Sequence, residues 1–149
     1  MFMRIAHVVA ERSTCARLNV GAIITLDNRI VSMGWNGQEP GADHCVGSQC
    51  RGFHRPGSCG TIHAEENAIR YLPRFGSKSW ASGPLDMYVT DSPCLDCMTK
   101  IVDAGINRLF FAHEYRDTSP LIHLRENGIL IYQVMPAGFV RNWVTGQTE

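Results

Sequence analysis

The chain has 149 residues, a length that suits one compact domain, and we predict a single domain over residues 1–149. Fourteen Lys and Arg residues balance fourteen Asp and Glu residues, so the formal net charge is zero. This balance argues against a nucleic-acid or membrane partner, because neither is attracted without a basic surface. Arg4 and His7 interrupt the apolar start, which excludes a signal peptide and favours a cytoplasmic protein.

The predicted elements begin with a helix and a hairpin and then alternate. The helix covers residues 3–12, and the hairpin has strands at 20–26 and 30–35 joined by a turn at 27–29. After an irregular stretch at 36–62, the pattern predicts a helix at 64–72, a strand at 85–90, a helix at 94–104, a strand at 108–112, a helix at 120–127 and a strand at 128–132. This order indicates an α/β fold in three α-β-α layers, with a mixed five-stranded sheet and helices on both faces. The tail after Gln133 shows no clear pattern.

Two short motifs carry most of the chemical information, and each stands at the predicted start of a helix. In the first, His63 is followed two residues later by Glu65, and in the second, Cys94 and Cys97 form a Cys-x-x-Cys pair. Two thiolates one turn apart and one imidazole can hold a tetrahedral metal ion and leave its fourth position to water. A carboxylate beside that water can move protons. The motifs therefore predict a catalytic zinc site with Glu65 as proton shuttle.

Either motif alone is ambiguous. A lone Cys-x-x-Cys pair is as typical of structural zinc, of a redox motif or of two buried thiols. A lone His-x-Glu is almost uninformative. Together, each opening a helix, they match the signature of zinc-dependent nucleobase deaminases.

The chain resembles the cytidine and deoxycytidylate deaminase family, and its deoxycytidylate (dCMP) branch in particular. The resembling pieces are STCARLNVGA at 13–22, GWNG at 34–37, HC at 44–45, HAEENAI at 63–69, YVT at 88–90, SPCLDC at 92–97, GI at 105–106 and Tyr115. The resemblance implies a cytidine deaminase-like fold and a zinc enzyme that replaces the amino group at C4 of cytosine with oxygen from water. In the dCMP branch, dCMP becomes dUMP, the precursor of thymidylate, and ammonia is released.

The resemblance also implies contacts with the nucleotide. Asn36 would hydrogen-bond the sugar, the backbone at Ala64 and near Ser92 would border the base, and Arg17 and Tyr115 would lie near the 5′-phosphate. The residues alone leave alternatives open. Asn36 could be a turn residue between glycines, Arg17 a solvated surface charge, and Tyr115 a packing residue beside neighbouring phenylalanines.

Regulation and assembly are implied in the same way. In many relatives the loop after GWNG takes part in binding dCTP as activator and dTTP as inhibitor. Here Trp35 stands where the family usually has Tyr, and residues 38–41 make the loop one residue longer than its commonest form. The family is generally homo-oligomeric, often hexameric, and the Phe and Trp residues of this chain would suit subunit contacts.

Four further cysteines suggest a second metal. Some phage and bacterial relatives bind a structural zinc through cysteines at positions resembling Cys15 and Cys45. Cys50 and Cys59 are the simplest completing pair, and His54 is the alternative ligand. Such a site would pin the long loop to the first helix. The alternative is that these are buried or free thiols.

Other functions fit the same zinc signature. Cytidine or deoxycytidine deaminases, guanine and riboflavin-pathway deaminases and tRNA adenosine deaminases share it, although a neutral chain disfavours a tRNA substrate. A non-catalytic, zinc-stapled binding module is a different class. Glu65 argues against that class, because a structural site has no use for a proton shuttle.

Overall fold

The computed structural model describes residues 1–45, 60–73 and 83–148. Its elements in chain order are α1 (Phe2–Ala10), β1 (Gly21–Leu26), β2 (Arg29–Trp35), α2 (Ala64–Arg70), β3 (Leu85–Asp91), α3 (Leu95–Asp103), β4 (Arg108–His113), α4 (Ser119–Glu126), β5 (Leu130–Val134) and β6 (Val140–Asn142). Most bounds lie within two residues of the prediction. The hairpin turn consists of Asp27 and Asn28, both with positive φ, as a tight two-residue turn requires.

The strands form one mixed sheet in the order β2-β1-β3-β4-β5-β6. Strand β1 pairs antiparallel with both β2 and β3, whereas β3, β4 and β5 are parallel to one another. All six residues of β1 are buried, which explains its unbroken apolar sequence. The predicted α/β class and mixed sheet are therefore confirmed.

The predicted strand count of five is wrong, because the tail after Gln133 adds a sixth strand. Strand β6 pairs antiparallel with β5 and is only three residues long. The turn between them is closed by two backbone hydrogen bonds between Met135 and its neighbours Gly138 and Phe139. Gly138 has φ of +91°, a conformation that favours glycine. A strand this short has no periodicity of its own and forms because β5 offers it an edge.

Helices cover both faces of the sheet, as predicted. On one face, α1 packs through Met3, Ala6 and Val9 against Ile23 of β1. On the other face lies the larger core, to which α2 contributes Ala64 and Ala68, α3 Cys97 and Ile101, and α4 Leu121 and Leu124. Both motif helices thus lie on the same side of the sheet. Within the described residues, no helix combines the length and the apolar character needed to cross a bilayer.

Helix α2 lies unusually close to β2. A Cβ atom built on Gly34 would be 2.3 Å from the backbone nitrogen of Ala68 and 2.4 Å from the carbonyl oxygen of Ala64. Only glycine permits this approach, since real Cβ contacts are not that short. Two hydrogen bonds reinforce it: Ser32 Oγ donates to the Ala68 carbonyl (2.6 Å), and Asn67 Nδ2 donates to the Trp35 carbonyl (2.7 Å). The sheet therefore sets the position of the helix that carries His63 and Glu65.

Candidate metal centre and its cavity

The N-terminal ends of α2 and α3 meet at one edge of the sheet. His63 is the N-cap residue of α2, and Cys94 is the N-cap residue of α3, both with extended backbone. Cys97 lies in the first turn of α3. Because β3 leads directly into α3, and α2 is held against β2, the fold brings the two motifs together from positions about thirty residues apart in sequence.

The three predicted metal donors form a compact cluster. Cys94 Sγ lies 3.3 Å and Cys97 Sγ 3.4 Å from His63 Nδ1, and all three ligand atoms lie within 4.8 Å of one another. Tetrahedral bonds of zinc to sulfur and nitrogen place ligand atoms roughly 3.5–3.8 Å apart. The arrangement therefore fits zinc, with a nitrogen and two sulfurs as its preferred donors.

The distribution of protons within the cluster is also compatible with metal binding. Its hydrogen bonds to Cys97 and to His63 lower the pKa of Cys94 to about 3. A hydrogen bond to Cys94 raises the pKa of His63 to about 9. A separate hydrogen bond to Cys94 raises the pKa of Cys97, and burial raises it further. At neutral pH the protons thus stay on His63 and Cys97. A divalent metal displaces both, so binding here releases protons.

Glu65 lies beside this cluster and is only 4% exposed. Burial raises the pKa of Glu65 to about 7, because a charged carboxylate loses its hydration there. A carboxyl group that titrates near neutral pH is suited to taking up and releasing protons. The side chain is placed by its position in the first turn of α2, two residues from His63.

A cavity of about 520 Å³ opens over the cluster, and its lining includes His63, Cys94 and Glu65. All five residues for which nucleotide contacts were predicted also line it: Arg17, Asn36, Ala64, Ser92 and Tyr115. Sequence reasoning missed other lining residues: Leu18, Val20, Gly60, Thr61, Glu66, Asp91, Asp96 and Lys100. Glu66, Asp96 and Lys100 lie within or next to the two motifs, so their short distance in sequence from the metal ligands could have predicted that they line the cavity.

The amide of Asn36 is largely occupied by the protein itself. Its Oδ1 accepts hydrogen bonds from the backbone N–H of Val20 (2.8 Å) and from Ser13 Oγ (2.6 Å), and its Nδ2 donates to the Leu18 carbonyl (2.7 Å). Asn36 is 7% exposed. It is thus neither a simple turn residue nor a side chain held free for a ligand: it ties the segment 13–20 to the end of β2. One N–H of the amide remains for a substrate.

The remaining predicted contacts differ in their surroundings. Ser92 Oγ accepts a hydrogen bond from the backbone N–H of Tyr115 (2.8 Å), which places Tyr115 at the cavity rim, where it is 44% exposed. Within the described ranges, Arg17 is exposed and forms no ion pair, in contrast to Lys100, which pairs with Glu66. Arg17 is therefore a cation of the cavity wall with its charge available.

The second metal site is not established among the described residues. Cys15 lines the cavity, and Cys45 Sγ accepts a hydrogen bond from Gln38 Nε2 (3.1 Å). In the described part of the chain, the only group of three or more His, Cys, Asp and Glu donors is His63 with Cys94 and Cys97. The proposed completing ligands Cys50, Cys59 and His54 lie outside the described residues.

The mixed sheet, the two helix ends and the nitrogen–sulfur donor set define a zinc-binding α/β protein. The family described as the cytidine and deoxycytidylate deaminase zinc-binding region matches residues 1–113, most of the chain. The chain therefore belongs to the cytidine and deoxycytidylate deaminase family.

Individual relatives agree with this assignment. ComE operon protein 2 of Bacillus subtilis is 38% identical over 136 residues, which cover 89% of this chain and 69% of that protein. The deoxycytidylate deaminase of Enterobacteria phage T4 is 30% identical over 171 aligned positions, covering 89% of this chain and 87% of the phage protein. The deoxycytidylate deaminase of Schizosaccharomyces pombe is 31% identical, but only 43% of its length is covered.

A solved structure shares the fold over nearly its whole length. The dCMP deaminase of cyanophage S-TIM5, in complex with dCMP and dUMP, superposes with a TM-score of 0.74 and 28% sequence identity. The match covers 89% of this chain and 93% of the phage chain. This similarity confirms the predicted cytidine deaminase-like fold.

Proposed function

We propose that the protein is a zinc-dependent dCMP deaminase that converts dCMP to dUMP and releases ammonia. The observation that carries the proposal is the buried Glu65 carboxylate on the wall of the same cavity as His63 and Cys94, two of the three clustered metal donors. Deoxycytidylate deaminases among the relatives, and the phage enzyme in complex with dCMP and dUMP, support the choice of substrate.

In this proposal His63, Cys94 and Cys97 hold the metal. Bound there, Zn²⁺ acts as a Lewis acid that makes water a nucleophile near neutral pH. Glu65 accepts a proton from the water that attacks C4 and delivers it to N3 of the ring. Its carboxylate then takes a second proton from the new hydroxyl group and gives it to the departing amino group, so that cytosine and water become uracil and ammonia.

The other cavity residues orient the nucleotide. Ala64 is the first residue of α2, so its N–H has no partner inside the helix and can donate to the base. The remaining N–H of Asn36 donates to the sugar. Arg17 binds the 5′-phosphate, because its charge is not neutralised by an ion pair within the described residues. Tyr115 lines the same cavity, and Ser92 Oγ accepts a hydrogen bond from its backbone N–H.

The substrate assignment is tested by incubating the protein with dCMP, deoxycytidine, cytosine and an adenosine stem-loop RNA. We expect conversion of dCMP, with much slower turnover of the others. Arg17→Ala should raise KM for dCMP without affecting deoxycytidine, and Arg29→Ala in the hairpin serves as a control. Turnover of the nucleoside but not the monophosphate would refute the proposal.

The mechanism is tested with Glu65→Ala. We expect deamination to fall by about 10²–10⁴-fold or more, the usual contribution of general acid–base catalysis. Zinc content should stay near that of the wild type, because Glu65 is not among the metal donors. Retained activity would exclude Glu65 as the proton shuttle, and a chain that binds zinc without deaminating any cytosine compound would point to a binding module.

Regulation by dCTP and dTTP has a candidate location. A second cavity of about 340 Å³ is lined by Trp35, Arg12 and residues of the 37–42 loop. The guanidinium of Arg12 lies 5.7 Å above the Trp35 ring, so a cation and an aromatic surface face the same space. Assays of dCMP conversion with and without each triphosphate test this: unchanged kinetics with both would remove the proposal.

We also propose self-association, with a hexamer as the expected state. Tyr88, Phe110 and Tyr132 form a row of stacked rings across β3, β4 and β5, with centroids 4.5 and 4.9 Å apart. These half-buried rings offer an apolar surface of the kind found in subunit contacts. Light scattering after gel filtration gives the number of subunits, and a monomer at micromolar concentration would contradict the proposal.

The second, structural zinc remains a proposal that rests on Cys15 and Cys45. Metal analysis of the purified protein distinguishes one ion per chain from two. We expect two, with the count falling to one in Cys15→Ser or Cys45→Ser. A value near one in the wild type would remove the second site and leave the catalytic one intact.

A further inference from the structure

An ion pair links the two helices that carry the metal donors. Lys100 Nζ of α3 lies 2.5 Å from Glu66 Oε2 of α2. Glu66 follows His63 by three residues, and Lys100 follows Cys97 by three residues. Since residues three apart lie on the same face of a helix, the pair lies one turn behind the donors and spans the same gap between the helices.

Other contacts between α2 and α3 are made largely by apolar side chains. Ala64 and Ala68 of α2 and Ile101 of α3 belong to the shared core and provide apolar packing without directional bonds. Near the donors, the side chains of Glu65 and His63 hydrogen-bond Cys97, and one turn further along the gap Glu66 and Lys100 form a hydrogen-bonded ion pair. This pair therefore adds a directional contact between the two helices that does not involve a metal donor.

The carboxylate of Glu66 is itself held in place. Arg70, one turn further along α2, donates to Glu66 Oε1 (2.7 Å), and it also pairs with Glu39 (3.0 Å). With one oxygen bound by Arg70, the other is directed to Lys100. Helix α2 has only seven residues and would not be stable in isolation, so its orientation comes from such contacts.

Charge adds to this geometry. Metal binding leaves two thiolates, those of Cys94 and Cys97, in the site. The ammonium of Lys100 contributes a positive charge behind Cys97, and it also lines the catalytic cavity. The exposed fractions of the two side chains, 41% for Lys100 and 20% for Glu66, make the pair a weak contributor to global stability. The effect of the ion pair should instead be seen in the affinity of the site for metal.

We propose that Glu66 and Lys100 are positioning residues that hold the ends of α2 and α3 at the spacing that His63, Cys94 and Cys97 need to bind zinc. The inference rests on the proposed function for the identity of the metal and deepens it by assigning residues outside the donor set. It requires neither residue to touch the nucleotide.

The test measures metal binding without nucleotide. Co²⁺ is titrated into the metal-free protein while its visible absorption, which reports tetrahedral thiolate coordination, is recorded, and Zn²⁺ affinity is measured by chelator competition. The variants are Lys100→Met and Glu66→Gln, with Lys100→Arg as the conservative replacement. Arg29→Met is the control, because it removes an exposed cation of the β1–β2 hairpin and lies outside both helices.

We expect Lys100→Met and Glu66→Gln to weaken Zn²⁺ binding about tenfold or more, the range seen when residues that orient metal ligands are removed. Their Co²⁺ spectra should shift, while thermal midpoints stay close to that of Arg29→Met. Lys100→Arg should restore binding, and the swapped pair Glu66→Lys with Lys100→Glu should bind better than either single reversal.

Two results would overturn the inference. One is equal Zn²⁺ affinity in Lys100→Met and Arg29→Met, and the other is a swapped pair no better than the single reversals. Because the titrations contain no nucleotide, their outcome is separate from that of the dCMP assay. A wild-type chain that binds Co²⁺ but leaves dCMP unchanged would refute the proposed function and not the positioning role.

Discussion

Replacing Asn36 with Ala should destabilise the protein more than its position in a loop would suggest. The substitution leaves the backbone N–H of Val20 and the carbonyl of Leu18 without their partners. A buried polar group without a partner costs about 1–3 kcal/mol. Val20 is half-buried and Leu18 is 41% exposed, so water reaches both sites, and the total should be about 2–3 kcal/mol. KM for dCMP should rise as well, because the segment 13–20 carries Arg17.

The assay is urea denaturation monitored by circular dichroism. The m-value, the dependence of the unfolding free energy on urea concentration, must be equal in the two proteins for the comparison to hold. Ser13→Ala is the matched comparison. It removes a hydroxyl that donates to Asn36 (2.6 Å to Oδ1, 2.9 Å to the carbonyl oxygen) and accepts from the N–H of Cys15 (3.2 Å), but it leaves the bonds of the Asn36 amide to Val20 and Leu18. It should cost about 0.5–1.5 kcal/mol, because the hydroxyl is only partly buried and water can replace its contacts. If Asn36→Ala costs no more than Ser13→Ala, the amide does not anchor the segment and the reasoning fails.

Three further predictions follow from other parts of the structure. Gly34→Val should lower the free energy of unfolding by about 1–3 kcal/mol and weaken zinc binding, because its side chain would meet the backbone of α2; urea denaturation and metal analysis check this. Arg108→Met should cost about 1–3 kcal/mol, since it leaves the Asp86 carboxylate, 7% exposed, without its two hydrogen bonds; an unchanged denaturation midpoint would contradict it. Removing metal with a chelator should abolish activity and make the thiols of Cys94 and Cys97 available to a thiol reagent, together with any cysteines of the second site, and Zn²⁺ should reverse both effects; activity that survives chelation would exclude a metal requirement.

The sequence predicted the metal cluster well because its signal is local. His63 and the Cys94–Cys97 pair belong to short motifs at helix starts, and the structure brings them together as expected. Short apolar runs likewise predicted the hairpin and the parallel strands, because these strands are largely buried. Such features depend on neighbours a few residues away, which a single sequence displays.

What the sequence did not predict depends on distant contacts. The bonds of Asn36 to residues 13, 18 and 20 require the end of β2 to meet that segment, which no local pattern indicates. Strand β6 forms because β5 has an edge to pair with, not because of its own three residues. The Glu66–Lys100 pair lies at equal offsets from two motifs, but only the packing of α2 against α3 turns those offsets into a contact.

Several predictions stay predictions. The single-domain organisation, the cytoplasmic location, the role of each nucleotide-binding residue, the regulation by nucleotides and the number of subunits rest on the sequence and on family resemblance. The assays above address the last three.

Two parts of the chain form the walls of the catalytic cavity, and different contacts hold each part in place. The metal donors depend on α2, which packs against β2 at Gly34, and on α3, which contacts α2, whereas the facing segment is tied to the end of β2 by the backbone and side-chain hydrogen bonds of Asn36. Changes of side chain along residues 14–19 can therefore alter which compounds the cavity admits without disturbing the hydrolytic apparatus. Related chains can therefore differ in substrate specificity while they keep the same catalytic chemistry.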